Sequence, residues 1–286
     1  MSKDRNQNYV RLKKFWINYR KNVSAVFGLG IILALVILAL AAPILTPFQP
    51  LRLVATPFLP PSQEHPMGTD FLGRDNFSEV VYGARTSLLI GFLAAATSVL
   101  VGIVVGALAG FFGGFKDEVL MRITEVFQVI PQLFLVLAAV AIVGPTVWNV
   151  VWVIGLTSWP TTARLVRAEF LTLRERPFVE AARVAGAGDS QLIWSEILPN
   201  ATAPIVVNSS FMVARAIILE ASLNFLGLGD ANVPSWGRIL QDAQAYLQRA
   251  WWLSFFSGLF IALAVLGMNL LGDGLNDALN PRLRQR

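Results

Sequence analysis

Charged side chains cluster along this chain, leaving five uncharged and largely apolar runs at 23–51, 86–115, 126–163, 197–214 and 250–272. Apolar runs of roughly 18 or more residues are long enough to cross a bilayer as helices. The run that begins at Val126 exceeds one span of about 20 residues, and Gly144-Pro145 supplies the turn that divides it. Six helices are therefore predicted, at about 23–45, 86–111, 119–142, 147–167, 201–223 and 251–272. In the third, Glu118, Arg122 and Glu125 are spaced to pair on one face at the water boundary.

Composition agrees with this pattern and removes alternatives. Hydrophobic residues make up 55% of the 286 positions and charged residues 14%, with a mean hydropathy of +0.59. A soluble domain carries about 25% charged residues. There is no cysteine, which excludes a disulfide scaffold, a thiol nucleophile and an iron–sulfur cluster. A single histidine, His65, argues against a histidine-rich metal site.

The charge balance sets the expected orientation. With the N-terminus inside, the cytoplasmic face collects 17 of the 23 Lys and Arg residues, in segments 3–21, 116–122, 164–183 and 282–286. Arg52, Arg74, Arg85, Arg238 and Arg249 fall outside, and Arg215 lies within a span. This asymmetry predicts that both termini are cytoplasmic, and it accounts for a pI of 9.9 without nucleic acid. The first span contains Ala39-Leu40-Ala41, which mimics a signal-peptide cleavage site. Its apolar stretch of about 20 residues exceeds a signal core of 7–15, so it reads as a retained anchor. Ahead of it, Leu12, Phe15, Trp16 and Tyr19 form a stripe among Lys13, Lys14 and Arg20, the pattern of an interfacial helix lying on lipid.

Boundaries are thus expected at a cytoplasmic segment 1–22, a first span 23–45, an external loop 46–83, a five-helix core 84–275 with a long internal loop 164–200, and a tail 276–286. The external loop is rich in proline, from Pro47 to Pro66, and reads as extended chain. Within it His65, Glu64, Asp70 and Asp75 offer metal-ligand chemistry, but one histidine with scattered carboxylates reads better as a hydrogen-bonded loop.

The loop at 164–200 carries the densest local signals. Pro177 suits the first turn of a short helix to Ala185, and Gly186 ends it. Asp189 can cap a second helix, Ser190 to Ile197, that stops before Pro199. Glu180, Ala181 and Ala182 form a small-residue surface that another protein can approach closely. Arg174, Arg176 and Arg183 would attract an acidic partner.

In the fifth span, Asn208, Ser209, Ser210, Arg215 and Glu220 interrupt the apolar pattern. An ionisable residue there costs at least about 2.5–3.5 kcal/mol, so it faces a water-filled cavity or partner, or snorkels to the outer interface. Asn208, Ser209, Arg215 and Glu220 are the candidate pathway residues. Gly102, Gly106 and Gly110 recur every fourth residue and predict close helix packing. Trp251 and Trp252 read as interfacial anchors. No Gly-Lys-Ser/Thr phosphate loop, H-E-x-x-H or G-x-S-x-G is present.

The segment Glu180-Ala181-Ala182-Arg183-Val184-Ala185-Gly186, followed by Ile197-Leu198-Pro199, resembles the EAA motif of ABC importer permeases. His65 to Asp75, Arg85 to Leu88, Met121-Arg122, Glu220 to Gly229, Ser235-Trp236-Gly237 and Asn269 to Leu275 extend the likeness along nearly the whole chain. Together they look like the dipeptide/oligopeptide/nickel permease family. The resemblance implies an all-α polytopic protein of the type I ABC importer fold in a bacterial cytoplasmic (inner) membrane. It implies a second homologous permease, two cytoplasmic ATPase subunits and an external substrate-binding protein. It further implies that ATP and Mg serve the ATPases, with no cofactor or catalytic residue in this chain. Glu180, Ala181, Ala182 and Gly186 would then sit in a coupling helix docked on an ATPase. Cargo within the family spans peptides, glutathione, opines and nickel chelates. A gradient-driven secondary transporter would instead need buried coupling carboxylates and inverted repeats. Only Glu220 is a candidate and no repeat is seen.

Overall fold

The structure, a computed structural model, describes residues 16–279. Eleven helices are followed here: α1 (Val23–Leu40), α2 (Ala42–Leu45), α3 (Asn76–Phe112), α4 (Gly114–Val129), α5 (Gln132–Val143), α6 (Val147–Leu173), α7 (Pro177–Val184), α8 (Asp189–Gln191), α9 (Leu198–Phe225), α10 (Trp236–Ala243) and α11 (Trp251–Leu279). A π-helical turn, Leu192–Ile197, joins α8 to α9. Among the described residues, β structure is limited to two isolated bridges, Leu53 with Arg74 and Thr69 with Asp75.

Four stretches are long and apolar enough to cross a membrane: α1, α3, α11 and the continuous Asp189–Phe225. A fifth arises if α4 and α5, bent by 87°, count as one span. The remaining predicted span, α6, has 27 residues, but Asn149, Thr157, Ser158, Thr161, Thr162, Arg164 and Arg167 lower its hydropathy. Ser158 and Thr162 are buried against neighbouring helices rather than offered to lipid.

The boundaries differ from the sequence expectation most clearly at three places. Helix α3 begins at Asn76, ten residues before the expected start at 86, because Asp75 caps it by accepting from the Ser78 amide at 2.8 Å and the Ser78 hydroxyl at 2.6 Å. The expected helix 119–142 is two helices. Pro131 has no N–H to donate and holds Ile130 in extended backbone, so α4 stops at Val129 and α5 starts at Gln132. Ser190–Ile197 is not a separate helix ending before Pro199. The wider π turn, closed by Leu198 N–H to the Ile193 carbonyl, accommodates the missing donor at Pro199 and runs directly into α9.

Apolar clusters join α1, α3, α9 and α11, then α3, α5, α6 and α9. A third joins α3 and α6 to Val179 of α7 and to Leu192, Ile193 and Ile197 of the π turn. Glycine permits the α3–α6 contact. A methyl group at Gly102 would lie 2.5 Å from the Thr162 Cβ, and one at Gly110 would lie 2.6 Å from the Phe170 Cβ. This matches the small-residue face predicted from the spacing. Of the expected interfacial stripe, Leu12 and Phe15 lie outside the described residues, as do Arg282, Arg284 and Arg286. Trp16 and Tyr19 stack at 5.8 Å, and the Tyr19 hydroxyl donates to the Ala25 carbonyl at 2.9 Å.

Candidate functional site

The first candidate feature is the α7 turn. Val179 is fully buried and ties the helix to the third apolar cluster, while Glu180, Ala181, Arg183, Val184 and Gly186 are exposed and Ala182 is half-buried. Arg176 ends the preceding turn in extended backbone and Pro177 starts the helix, as its fixed φ favours. At the far end Gly186 adopts φ +91°. Its N–H donates to the Arg183 carbonyl and the Ala187 N–H to the Ala182 carbonyl, each at 3.0 Å. This paired closure needs a left-handed residue at its corner, which glycine supplies without a Cβ penalty. The result is a rigidly held, outward-facing helix that carries Glu180, Ala181, Ala182 and Gly186 as one surface.

Two arginine contacts fix the base of this surface. Arg167 donates from Nε and Nη2 to the two Asp117 carboxylate oxygens at 2.5 and 2.6 Å, locking α6 to α4. Arg174 donates to the Gly110 and Phe111 carbonyls at 3.1 and 3.3 Å and so caps the end of α3. Arg174 is therefore not a free attractor for an acidic partner, as the sequence suggested. Arg176 and Arg183 remain exposed.

The second feature is a polar cavity of about 150 Å³ at the α4–α5 break. Gln128, Pro131 and Gln132 line it from the break, Thr157, Ser158 and Thr161 from α6, and Arg215 from α9. Gln132 Nε2 donates to the Ser158 hydroxyl at 2.5 Å, which joins α5 to α6 at the cavity wall. Other hollows, such as those against Leu108 and Phe112 or against Ile218 and Phe225, have largely apolar linings. The polar cavity escaped sequence analysis because the apolar run was cut only at Gly144-Pro145. Ile130-Pro131 was the signal for a second cut.

The chain as a whole has relatives among known proteins. Residues 102–285 match the family described as binding-protein-dependent transport system inner membrane component, and residues 11–63 match the N-terminal transmembrane domain of oligopeptide transport permease C. The chain belongs to this inner membrane permease family. It is 40% identical to the dipeptide transport system permease protein DppC of Alkalihalophilus pseudofirmus, over 93% of this chain and 88% of that protein. It is 41% identical to the di/tripeptide transport system permease protein DppC of Pseudomonas aeruginosa, over 96% and 93%. In fold it is similar to an inward-facing structure of the MetNI methionine ABC transporter, with a TM-score of 0.58, 21% identity, and coverage of 71% of this chain and 97% of that one. The permease is thus an all-α, multi-pass inner membrane protein with the type I ABC importer transmembrane fold.

Of the other pathway candidates in this permease, Asn208 donates to the Thr162 hydroxyl at 3.0 Å and ties α9 to α6. Ser209 donates to the Ile205 carbonyl at 2.7 Å, within its own helix. Neither lines the polar cavity. Glu220 is completely buried rather than cavity-facing. It accepts from the Asn224 amide beside α3 and α10, where Trp236 donates to the Val80 carbonyl at 3.0 Å. Packing of small residues there, with Gly237 against the backbone of Ala221, encloses it. Trp252 is likewise no interfacial anchor. It is buried and donates to the Thr69 carbonyl at 3.2 Å, which holds the long loop onto α11, whereas Trp251 is exposed.

That loop is a hydrogen-bonded unit. His65 Nδ1 lies 2.8 Å from Asp75 Oδ1, beneath the Phe48 ring. Asp70 accepts from the Leu72 and Arg74 amides at 2.8 and 2.7 Å. Burial pushes its carboxyl above the ordinary aspartate range, against the lowering effect of those bonds. No group of three metal-ligating side chains occurs among the described residues.

Proposed function

We propose that this chain is one permease subunit of an ATP-driven importer that carries peptides or peptide-like solutes across the inner membrane by alternating access. The carrying observation is the α7 surface: an exposed helix of small residues, anchored by Val179 and closed by Gly186, at the base of the bundle. Such a surface suits a subunit that pushes, because displacement at α7 passes to α6 and α9 through their shared apolar cluster. The partners in this reading are a second homologous permease, two ATPase subunits using ATP and Mg, and an external substrate-binding protein. Peptide cargo is supported by the dipeptide and di/tripeptide permeases that this chain resembles. Arg215 marks the pathway, since it opens on the polar cavity.

Orientation has a direct test. Both termini and the α7 surface lie on the cytoplasmic side in this reading, with Ser62 outside. The chain contains no cysteine, so Ser62→Cys and Ser190→Cys each report alone. In sealed cells an impermeant thiol reagent is expected to label only the first. Labelling of the second would refute the coupling role of α7. Function is tested by reconstituting the four-subunit complex in vesicles: peptide uptake that requires ATP and loaded binding protein is expected, and uptake driven by an ion gradient alone would overturn the reading.

A further inference from the structure

Ile130 and Pro131 are non-helical and exposed between the amphipathic α4 and the apolar α5. Backbone that leaves the helix at membrane depth is tolerated only where it lines water or another protein surface. Arg215 opens on the same cavity, and no carboxylate lies within ion-pair distance of it among the described residues. Arg215 is exposed there, and a guanidinium in a spanning helix is tolerated where it meets water or a counter-charge rather than lipid. Gln128 and Thr161 line the cavity, are exposed and make no side-chain hydrogen bond within the protein, so their donors are open to a ligand.

We propose that this cavity is a carboxylate subsite on the transport pathway, in which Arg215 takes the C-terminal carboxylate of a peptide in transit. The proposal rests on the peptide-permease reading above. The planar guanidinium fork matches two carboxylate oxygens, a geometry that an amide or an ester cannot reproduce as an ion pair. Thr161 and Gln128 supply neutral donors to the remaining lone pairs. No Asp or Glu lines the cavity, so neither the ammonium end of a peptide nor a divalent cation finds a partner there. The first turn of α5 has no side-chain cap and adds a modest positive potential at Gln132. At about 150 Å³ the space falls below the roughly 300–1,000 Å³ of whole-ligand pockets. It has room for one end group and not for a whole peptide.

The test uses the complete complex in vesicles with its binding protein. A dipeptide with a free C-terminus is compared with its C-terminal amide, the sequence being chosen so that both load the binding protein equally. Arg215→Gln is expected to lower free-acid uptake by about tenfold or more. Amide uptake is expected to stay within about twofold, since that peptide offers no carboxylate to lose. Arg215→Lys is expected to recover part of the free-acid preference. An equal fall for both peptides, or none for either, overturns the carboxylate subsite while leaving the peptide reading intact. Loss of the second permease on purification of Arg215→Gln overturns it in favour of an inter-subunit ion pair. Failure of the wild-type complex to carry either peptide removes the peptide reading itself.

Discussion

Replacing Gly186 with valine separates backbone conformation from steric contact. The residue sits at φ +91°, and a Cβ built there meets no atom within 4 Å, so no clash with the rest of the chain contributes. What remains is the cost of holding a β-branched residue in the positive-φ region, about 1–3 kcal/mol. The turn can relieve that strain by abandoning its two 3.0 Å closing bonds, from Gly186 to Arg183 and from Ala187 to Ala182. A bias of 1–3 kcal/mol lowers the population of the closed turn by about 5- to 150-fold relative to its open forms. Val179 stays buried, so the chain should still fold and assemble. In vesicles the expected result is lost uptake, with ATP hydrolysis that no longer responds to loaded binding protein. Asparagine tolerates this backbone region better, and Gly186→Asn is expected to keep most of the coupling. Full stimulated hydrolysis and uptake in Gly186→Val would refute the argument, because the turn would then carry no conformational information to its partner.

Four further outcomes follow from the packing. Gly106→Val puts side-chain atoms into the Ala163 backbone and 2.7 Å from the Val166 Cβ; a loss of about 1–3 kcal/mol is expected, read as reduced thermal stability in detergent. Gly30→Ala, with nothing within 4 Å, should leave stability nearly unchanged. Asp75→Ala removes the α3 cap and the partner of His65, and should cost about 0.5–2 kcal/mol for the cap alone, with Asp75→Asn milder; equal stability in Asp75→Ala would show that the loop is held elsewhere. Arg167→Lys loses the two-pronged contact with Asp117, so lysine should restore little of what Arg167→Ala removes in ATPase stimulation, and full rescue by lysine would reduce that contact to simple charge.

Local physics made much of this protein readable from its sequence. Apolar runs specified four of the six predicted spans, Pro177 and Gly186 bounded the α7 helix to within a residue, and Gly102, Gly106 and Gly110 announced a close helix contact. Each of these signals acts over a few neighbours, through a fixed φ, a missing Cβ or the length of a hydrophobic stretch. Other features arise where distant segments meet, and only the tertiary structure decided them. Arg174 caps α3 from 64 residues away, Trp252 reaches Thr69 across 183, and Glu220 is enclosed by α3 and α10. The polar cavity needs Gln128, Thr161 and Arg215 together, three positions on separate helices. Nothing in their spacing along the chain brings them together; the bend at Ile130-Pro131 and the packing of α6 against α9 do.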